Sequence, residues 1–322
     1  FLKMSKIIPY GRQDINQEDI DSVVEVLKSD FLTQGPVIHR FEKAISNYCG
    51  AKYTTAVNSN TSGLHLACLA LGVSDKDWVW TSPISFVASA NCAKYCGAKI
   101  DFIDIDKETF NISIDYLKIK LEKAKKENKL PKVIIPVHLC GQSCDMKAIN
   151  ELSKIYGFKI IEDAAHAIGG EYNGKKIGSC EYSDVAVFSF HPVKIITTGE
   201  GGAVLTNNKN LATKIQRLRS HGITRDPKEM NSIPDGMWYY QQLELGLNYR
   251  ITDIQAALGL SQLKRLDEFV TRRHEIAKLY DKLITDKNIL KPYQSSNCYS
   301  SYHLYVIRVK KSSKITRKQL FE

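Results

Sequence analysis

The chain has 322 residues, of which 43% are hydrophobic and 25% charged, a balance typical of globular proteins that excludes disordered, collagen-like and coiled-coil classes. The formal net charge of +10 favours anionic small molecules over nucleic acid, because the lysines form short separated groups without an aromatic-interleaved basic stripe. No run of about 18 apolar residues and no apolar leader is visible, so we expect a cytoplasmic protein without a membrane partner.

The first elements in chain order are helices. Asn16 stands before an acidic first turn and predicts a helix N-terminus, and a second predicted helix ends at Gly50. Over residues 53–207, short β-rich runs alternate with helical stretches. This alternation is typical of βαβ units, and it predicts an α/β fold with a buried, mostly parallel sheet.

Beyond residue 207 the pattern is mainly helical. Residues 251–284 predict one long helix or two, residues 302–309 predict a single late strand, and the chain stops at the start of a further helix. We therefore expect a large domain over residues 1–264 and a small C-terminal domain over residues 265–322 that is incomplete.

Eight cysteines are spread along the chain. Two pairs, Cys92 with Cys96 and Cys140 with Cys144, are separated by three residues, whereas structural zinc normally uses closer Cys-x-x-Cys pairs in matched sets. Most of the cysteines lie in apolar or small-residue segments, which favours reduced, buried thiols and predicts no metal site.

A lysine in the stretch FSFHPVKIITTGEGG, Lys194, follows a predicted strand and precedes a glycine turn. Apolar neighbours would desolvate its amine and lower its pKa, and a neutral amine is what a lysine needs to attack a carbonyl group. Alternatively, it is an ordinary surface lysine beside a turn.

Two further stretches carry possible chemistry. In IIEDAAHAIG, Asp163 ends a predicted strand, at the sheet edge where α/β proteins bind ligands, although a helix N-cap would place it equally well. In NSNTSGLHLA, residues 60–63 precede a predicted helix, so that free backbone N–H groups could bind a phosphate, or could simply be capped. A phosphate loop, an aspartate and a lysine, in this order, are what an enzyme dependent on pyridoxal 5′-phosphate requires.

With these residues, the chain resembles the DegT/StrS-type nucleotide-sugar aminotransferases, which have the fold type I architecture of aspartate aminotransferase. The resemblance covers about residues 8–306. It is carried by motifs that occur in the family's order: LTQGPVIHRFE, NSNTSGLHLACLALG, PISFVASANC, EDAAHAIGG, FSFHPVKIITTGEGGAV, RSHGI and LGLNYRITDIQAALGLSQL.

The resemblance implies roles toward the cofactor. Lys194 would bond covalently to pyridoxal phosphate and move the proton, and Asp163 would pair with the pyridine nitrogen. Phe86 would stack on the ring, and His166, where many members have glutamine, would reach the phenolic oxygen. The residues expected to hold the phosphate are Asn60, Thr61, Ser62, Ser189 and, from the neighbouring subunit of a homodimer, Asn248.

The resemblance also implies a substrate. Sugar 3-dehydratases of this fold have histidine in place of the lysine, so Lys194 indicates transamination. The pattern looks most like the members that aminate C4 of UDP-2-acetamido-2,6-dideoxy-β-L-arabino-hex-4-ulose with glutamate, in pseudaminic acid biosynthesis. The residues expected to contact the nucleotide-sugar are Tyr10, Asp30, Phe31, Leu32, Thr33, Asn60, Ser189, Asn248 and Arg250.

Three other functions remain open from the sequence. The chain could aminate C4 of another UDP-4-keto-hexose or of a UDP-4-keto-pentose, since the pentose enzymes share a histidine three residues before the lysine, as His191 stands here. A regulator that binds the cofactor without catalysis is the third. The intact Lys194, Asp163 and phosphate loop argue against that function.

Overall fold

The computed structural model describes residue 9 and residues 11–322. Within that part, the helices are α1 Gln17–Leu27, α2 Pro36–Cys49, α3 Asn60–Ala70, α4 Ala88–Tyr95, α5 Ile114–Lys126, α6 Met146–Tyr156, α7 Lys209–Arg219, α8 Asp253–Leu263, α9 Leu266–Leu283 and α10 Arg317–Phe321. The strands are β1 Tyr53–Val57, β2 Trp78–Thr81, β3 Lys99–Phe102, β4 Val133–Ile135, β5 Lys159–Asp163, β6 Glu171–Tyr172, β7 Lys175–Lys176, β8 Val185–Ser189, β9 Gly202–Thr206, β10 Ile223–Thr224, β11 Gln241–Gln242, β12 Ile289–Leu290, β13 Cys298–Tyr299 and β14 Arg308–Val309.

A seven-stranded sheet forms the centre, in the order β1-β9-β8-β5-β4-β2-β3. Strand β9 runs antiparallel to both of its neighbours, and the other pairings in this sheet are parallel. The predicted α/β fold with a mostly parallel sheet is confirmed. The carboxyl ends of β1, β2, β4, β5 and β8 meet at one edge, which is where such sheets bind ligands.

Helices cover both faces of the sheet. Successive strand residues point to opposite sides, and since the residues on both sides are apolar, both faces must be buried. In β8, Val185 and Val187 join an apolar cluster with α3, α4 and α7, whereas Ala186 and Phe188 join a second cluster with α2, α8 and α9. A third cluster packs α5 and α6 against the part of the sheet around Trp80 and Ile134. Burial on both sides explains why these strands are continuous apolar runs in the sequence.

Both predicted N-terminal helix boundaries are confirmed. The Asn16 side chain accepts the Asp19 N–H at 3.0 Å and the Asp19 carboxylate accepts the Asn16 N–H, which forms a capping box at the start of α1. Gly50 ends α2 with φ of 77°, a conformation that favours glycine.

Two predictions need correction. The segment expected to precede a helix, residues 60–63, is already the first turn of α3, because the Ser59 side chain caps it by accepting the Ser62 N–H. The late strand expected over residues 302–309 is wrong: only Arg308 and Val309 pair, antiparallel to β12.

The residues before β14 contact another part of the chain and do not pair in a sheet. Tyr302 has a φ of 46°, and the Leu304 N–H donates to the Cys140 carbonyl, so this stretch docks on the turn at Leu139–Gly141 instead of extending a strand. Residues 251–284 form two helices. The chain breaks between α8 and α9 at Arg265, whose side chain bonds Asp14 and Asp19.

None of the helices in the described residues combines the length and apolar character needed to cross a membrane.

Candidate active site

A cavity of about 660 Å³ opens at the carboxyl edge of the sheet, large enough for a cofactor or a small ligand. Its wall is built by segments that follow β1, β2, β5 and β8. The lining residues are Asn58, Ser59, Asn60, Thr61, Ser62, Phe86, Val137, Asp163, Ala165, His166, Ser189, His191, Val193, Lys194 and Glu200.

Lys194 lies in the loop after β8, and its backbone N–H donates to the His191 carbonyl at 2.8 Å. Burial lowers the pKa of its amine, and the charge of Asp163 opposes this shift. The side chain lines the cavity, so the structure places an amine that loses its proton more readily than an exposed lysine beside a ligand space.

Asp163 ends β5 and is 3% exposed. Its Oδ2 accepts the Ser89 hydroxyl at 2.6 Å and its Oδ1 accepts the Ala165 N–H at 3.2 Å. Burial nevertheless raises the pKa of this carboxyl group. The charges of Lys194 and His138 oppose this shift, but within the described residues Asp163 forms no ion pair, and a protonated ring nitrogen would supply a partner.

The first turn of α3 forms another wall. Gly63 allows the helix to approach the sheet, since a Cβ there would come within 2.7 Å of Val187. Gly202 has the same effect at the start of β9, where a Cβ would lie 2.7 Å from the Asn60 nitrogen. A helix N-terminus held at this edge presents N–H groups and a positive dipole end to an anion.

The side chains of this turn are partly engaged. The Asn60 amide donates to the Val187 carbonyl at 3.3 Å, and the Ser62 hydroxyl donates to the Asn58 side chain at 2.6 Å. Backbone N–H groups of this turn, and the hydroxyl of Ser189 at the end of β8, are the further donors that the cavity wall could offer an anion.

His166 is a further residue of the cavity wall. Its Nδ1 accepts the Cys140 N–H at 3.2 Å, which leaves the ring hydrogen on Nε2 in the neutral form. Burial and then the charge of Lys194 lower the pKa of His166 to about 3, and its ring packs on His303 with centroids 4.3 Å apart. The imidazole is therefore neutral at physiological pH and can donate from Nε2.

Phe86 is 71% exposed although it is aromatic, and it lines the cavity mouth after β2. A flat ring can stack on such a side chain. The residues present thus fit pyridoxal phosphate: an amine with a lowered pKa, a buried carboxylate, a helix N-terminus and an exposed aromatic ring.

The structure brings eight predicted residues into the wall of one cavity. They are Asn60, Thr61, Ser62, Phe86, Asp163, His166, Ser189 and Lys194. The remaining ones lie elsewhere or outside the described residues. Asn248 and Arg250 bridge by their backbones to Ser220 and Val57 and do not line this cavity, and Tyr10 lies outside the described residues.

The segment Asp30–Thr33 joins α1 to α2 and also lies away from the cavity wall of the single chain. Phe31 and Leu32 are half exposed, and the Leu32 carbonyl accepts the Asp253 N–H at 3.0 Å. The predicted contacts of these residues with a nucleotide-sugar stay predictions.

Sequence reasoning missed Ser89, which holds the carboxylate of Asp163 from α4. The two residues are 74 positions apart, and neither the spacing nor the residue type of Ser89 signals the contact. It also missed Glu200 and Val193 in the cavity wall, although both lie in the motif around Lys194 and could have been included by their position.

Comparisons with known proteins place nearly the whole chain in a family. A family model described as the DegT/DnrJ/EryC1/StrS aminotransferase family matches residues 13–322. The UDP-4-amino-4,6-dideoxy-N-acetyl-beta-L-altrosamine transaminase of Campylobacter jejuni is 41% identical over 321 residues, which are 98% of this chain and 80% of that protein.

Two solved structures extend the comparison. Helicobacter pylori PseC, an aminotransferase involved in the biosynthesis of pseudoaminic acid, superposes with a TM-score of 0.85 at 34% identity, over 95% of this chain and 78% of that one. The PLP-form of the sugar aminotransferase Spr1654 from Streptococcus pneumoniae gives a TM-score of 0.83 at 31% identity, over 95% and 79%. The chain belongs to the DegT/DnrJ/EryC1/StrS aminotransferase family and is a sugar aminotransferase that depends on pyridoxal phosphate.

Proposed function

We propose that this protein transfers the amino group of glutamate to C4 of a UDP-linked 4-keto-6-deoxy-N-acetylhexosamine, UDP-2-acetamido-2,6-dideoxy-β-L-arabino-hex-4-ulose. The observation that carries the reaction type is that the half-buried Lys194 and the buried Asp163 line one cavity, next to a helix N-terminus. The sugar is inferred from the transaminase of Campylobacter jejuni and from PseC, which cover most of this chain.

When bound, pyridoxal phosphate supplies an electron sink for negative charge that develops beside the reacting nitrogen. Asp163 would accept the hydrogen of the ring nitrogen and thereby keep that nitrogen protonated. Its fixed orientation, from Ser89 and the Ala165 N–H, supports this role. Phe86 would cover one face of the ring and exclude water from it.

Lys194 would carry the cofactor covalently between turnovers, and its Nζ would move a proton between the cofactor and the reacting carbon of each substrate, first the donor and then the sugar. Burial favours the neutral amine that such proton transfer requires. His166 would donate from Nε2 to the phenolic oxygen, and the first turn of α3 with Ser189 would bind the phosphate.

A homodimer is part of the proposal. The segment before Asn248 exposes large apolar side chains, with Trp238 at 76% and Met237 at 101% exposure. Exposed apolar surface of this kind marks contact surfaces between proteins. We propose that a second copy covers it and that Asn248 and Arg250 then reach the partner's cavity, while Tyr10 and Asp30–Thr33 contact the nucleotide-sugar.

We also propose a division of the chain near residue 264. The seven-stranded sheet is complete at Thr206, and α9 begins at Leu266 after the break at Arg265. Residues 265–322 would form the start of a smaller C-terminal domain.

A product assay tests the function. Purified protein with pyridoxal phosphate and glutamate is offered a panel of UDP-4-ketosugars: the L-arabino-hexulose, its D-hexose counterparts and a 4-keto-pentose. We expect fastest formation of the 4-amino sugar from the L-arabino-hexulose. Preference for another sugar would reassign the substrate. Bound cofactor whose absorbance does not change with glutamate would instead indicate the non-catalytic regulator.

Subunit mixing tests the dimer. Lys194→Ala and Asn248→Asp subunits, each inactive alone, are combined under conditions of exchange. One site of a heterodimer would carry both changes and the other neither, so activity should return toward one site per heterodimer. No recovery in demonstrated heterodimers would place Asn248 in its own subunit's site or outside the site.

A further inference from the structure

Three cysteines meet between α3 and α4, and none of them lines the cavity around Lys194. Cys68 lies on α3, Cys92 lies on α4, and Cys96 is the residue at which α4 ends. The Cys68 thiol lies 3.9 Å from the Cys92 sulfur. Cys92 and Cys96 are one helical turn apart, so both side chains project from the same side of α4 toward α3.

Only one member of this group can meet a solute. Cys68 and Cys92 are 0% exposed, whereas Cys96 is half-buried at the end of its helix. The Cys96 thiol donates to the Cys92 carbonyl at 3.5 Å. A reagent from solution would therefore reach Cys96 first, with two further thiols directly behind it.

The surroundings of Cys96 favour its thiolate. Hydrogen bonding from Cys68 lowers the pKa of Cys96; burial acts in the opposite direction, and the neighbouring His65 adds to the lowering. The thiolate is the nucleophilic form of cysteine. The His65 ring is itself fixed, since its Nδ1 lies 3.2 Å from the Tyr249 hydroxyl.

Two other cysteines provide a contrast within the same chain. Cys140 and Cys298 are half-buried as Cys96 is, but burial raises the pKa of each to about 11. Partial exposure is thus common to the three residues, whereas hydrogen bonds from a thiol and an imidazole that lower the pKa act on Cys96 and not on Cys140 or Cys298.

We propose that Cys96 is a peroxide-reactive thiol and that Cys68 resolves its oxidised form into a disulfide joining α3 to α4. In the first step the Cys96 sulfur attacks a peroxide oxygen, the O–O bond breaks, and water leaves with the thiol proton. In the second step the Cys68 sulfur attacks the sulfenic sulfur of Cys96, the S–S bond forms, the S–O bond breaks, and a second water leaves. Two electrons pass from the two thiols to one peroxide.

Cys68 is the favoured resolving residue because it faces Cys96 from another helix. Cys92 is on the same helix as Cys96, and its thiol is directed to the Ser89 carbonyl at 3.4 Å. A disulfide needs a sulfur separation of about 2.05 Å, shorter than a hydrogen-bonded contact between two thiols, so the Cys68 and Cys96 side chains must draw together. Since α3 begins at the phosphate-binding edge of the cavity, the modification links that edge to the redox state of its surroundings.

Alkylation rates test the reactivity without use of the enzyme's activity. The protein is treated with iodoacetamide at neutral pH, and each cysteine is followed by peptide mass spectrometry. The gain in thiolate fraction is partly offset by the lower intrinsic nucleophilicity of a low-pKa thiolate, so we expect Cys96 to react about tenfold faster than Cys140 and Cys298. Equal rates at the three residues would overturn the proposal.

Peroxide treatment tests the second step. Wild-type protein treated with one equivalent of hydrogen peroxide should lose two hydrogens and yield a Cys68–Cys96 cross-linked peptide. Cys68→Ala should stop at a sulfenic acid that dimedone labels at Cys96, and Cys96→Ser should form no disulfide. Cys140→Ser is the matched control and should cross-link as the wild type does.

Peptide mapping of the wild type keeps the test decisive even if a variant folds poorly. A Cys92–Cys96 disulfide, an unresolved sulfenic acid on wild-type Cys96, or first oxidation at Cys140 or Cys298 would each contradict the proposal.

Discussion

Asp163 and Asp19 are both buried aspartates, at 3% and 1% exposure, but their carboxyl groups differ in electrostatic state. Burial would raise the pKa of Asp19, yet hydrogen bonds from Ser261, Asn16 and Gln262 and the charge of Arg265 lower it overall. Its Oδ2 lies 2.7 Å from an Arg265 nitrogen. For Asp163, burial dominates and raises the pKa.

The difference separates a structural carboxylate from one prepared for a ligand. Asp19 is neutralised within the chain, where it ties α1 to the break between α8 and α9. Burial of the Asp163 charge is unfavourable and would be relieved by a bound cation, and Lys194, whose charge acts on Asp163, is itself shifted toward the neutral form. Ionisable side chains whose pKa is shifted in this way by burial are typical of functional sites.

Among the changes proposed here, removal of the Lys194 amine should have the largest effect on activity. Lys194→Ala should lower kcat/KM by roughly 10⁴-fold or more while the protein still folds, because neither the covalent attachment nor the proton transfer can be replaced. Steady-state kinetics and circular dichroism check this. Lys175→Ala, a change at an exposed lysine on β7, is the control and should act like wild type. Normal turnover of Lys194→Ala would refute the assignment.

Exchanging carboxylate for amide at the two aspartates tests the comparison directly. Asp163→Asn should reduce kcat/KM by about 100-fold or more without loss of stability, since the buried charge is removed. Asp19→Asn should lower the free energy of unfolding by about 1–3 kcal/mol and leave kcat close to normal, because Arg265 loses the buried one of its two charged partners. Kinetics and urea unfolding measure both. If the two variants lost activity and stability to the same extent, Asp163 and Asp19 would not differ in role.

The pH dependence of stability should have opposite signs for the two residues. The lowered pKa of Asp19 gives stability that is present above the ordinary pKa of an aspartate, 3.8, and is lost as the pH falls through the folded-state pKa. The raised pKa of Asp163 lowers the free energy of unfolding, and this loss begins as the pH rises above 3.8.

Urea unfolding of the cofactor-free proteins measures these slopes. From pH 3 to pH 7, the deficit of Asp19→Asn relative to wild type should grow, whereas Asp163→Asn should gain relative to wild type. Parallel curves for the two variants would show that their pKa shifts do not differ in sign.

The smallest effect is expected at His166. His166→Gln should keep activity within about tenfold of wild type, because the amide can donate a hydrogen bond as the neutral Nε2–H does. His166→Phe keeps a flat ring without a donor and should lose more. If the two variants lose activity equally, the hydrogen bond is not what His166 contributes.

The position of Asp163 could be predicted because strand ends follow from the local sequence, and all parallel strands share one carboxyl edge. The same holds for Lys194 and for the presence of α3 after β1, although α3 begins at Asn60, earlier than expected. What failed was long-range detail. The Ser89 hydroxyl reaches Asp163 only through the packing of α4 on the sheet, and apolar periodicity carries no information about such a contact.

Asp253 is a second example. Its carboxylate accepts the Gly35 N–H at 2.7 Å and the Val37 N–H at 2.9 Å, and so caps α2 from the start of α8. Local reasoning gives Asp253 a role in the first turn of its own helix only. The short late strand was mispredicted for a related reason, since residues 302–304 form tertiary bonds that override their β propensity.

The antiparallel strand β9 has a consequence for the order in which the molecule forms. Within the described chain, β1 joins the seven-stranded sheet only through β9, which follows it by about 150 residues, and Gly202 of β9 abuts the turn that opens α3. During synthesis, the N-terminal strand and its helix therefore wait without a sheet partner until residues 202–206 have left the ribosome. Such distant pairing slows folding and leaves a strand edge exposed in the meantime. We expect a nascent chain that ends before β9 to depend on chaperones, and to acquire affinity for a phosphate-bearing cofactor only after β9 has been added.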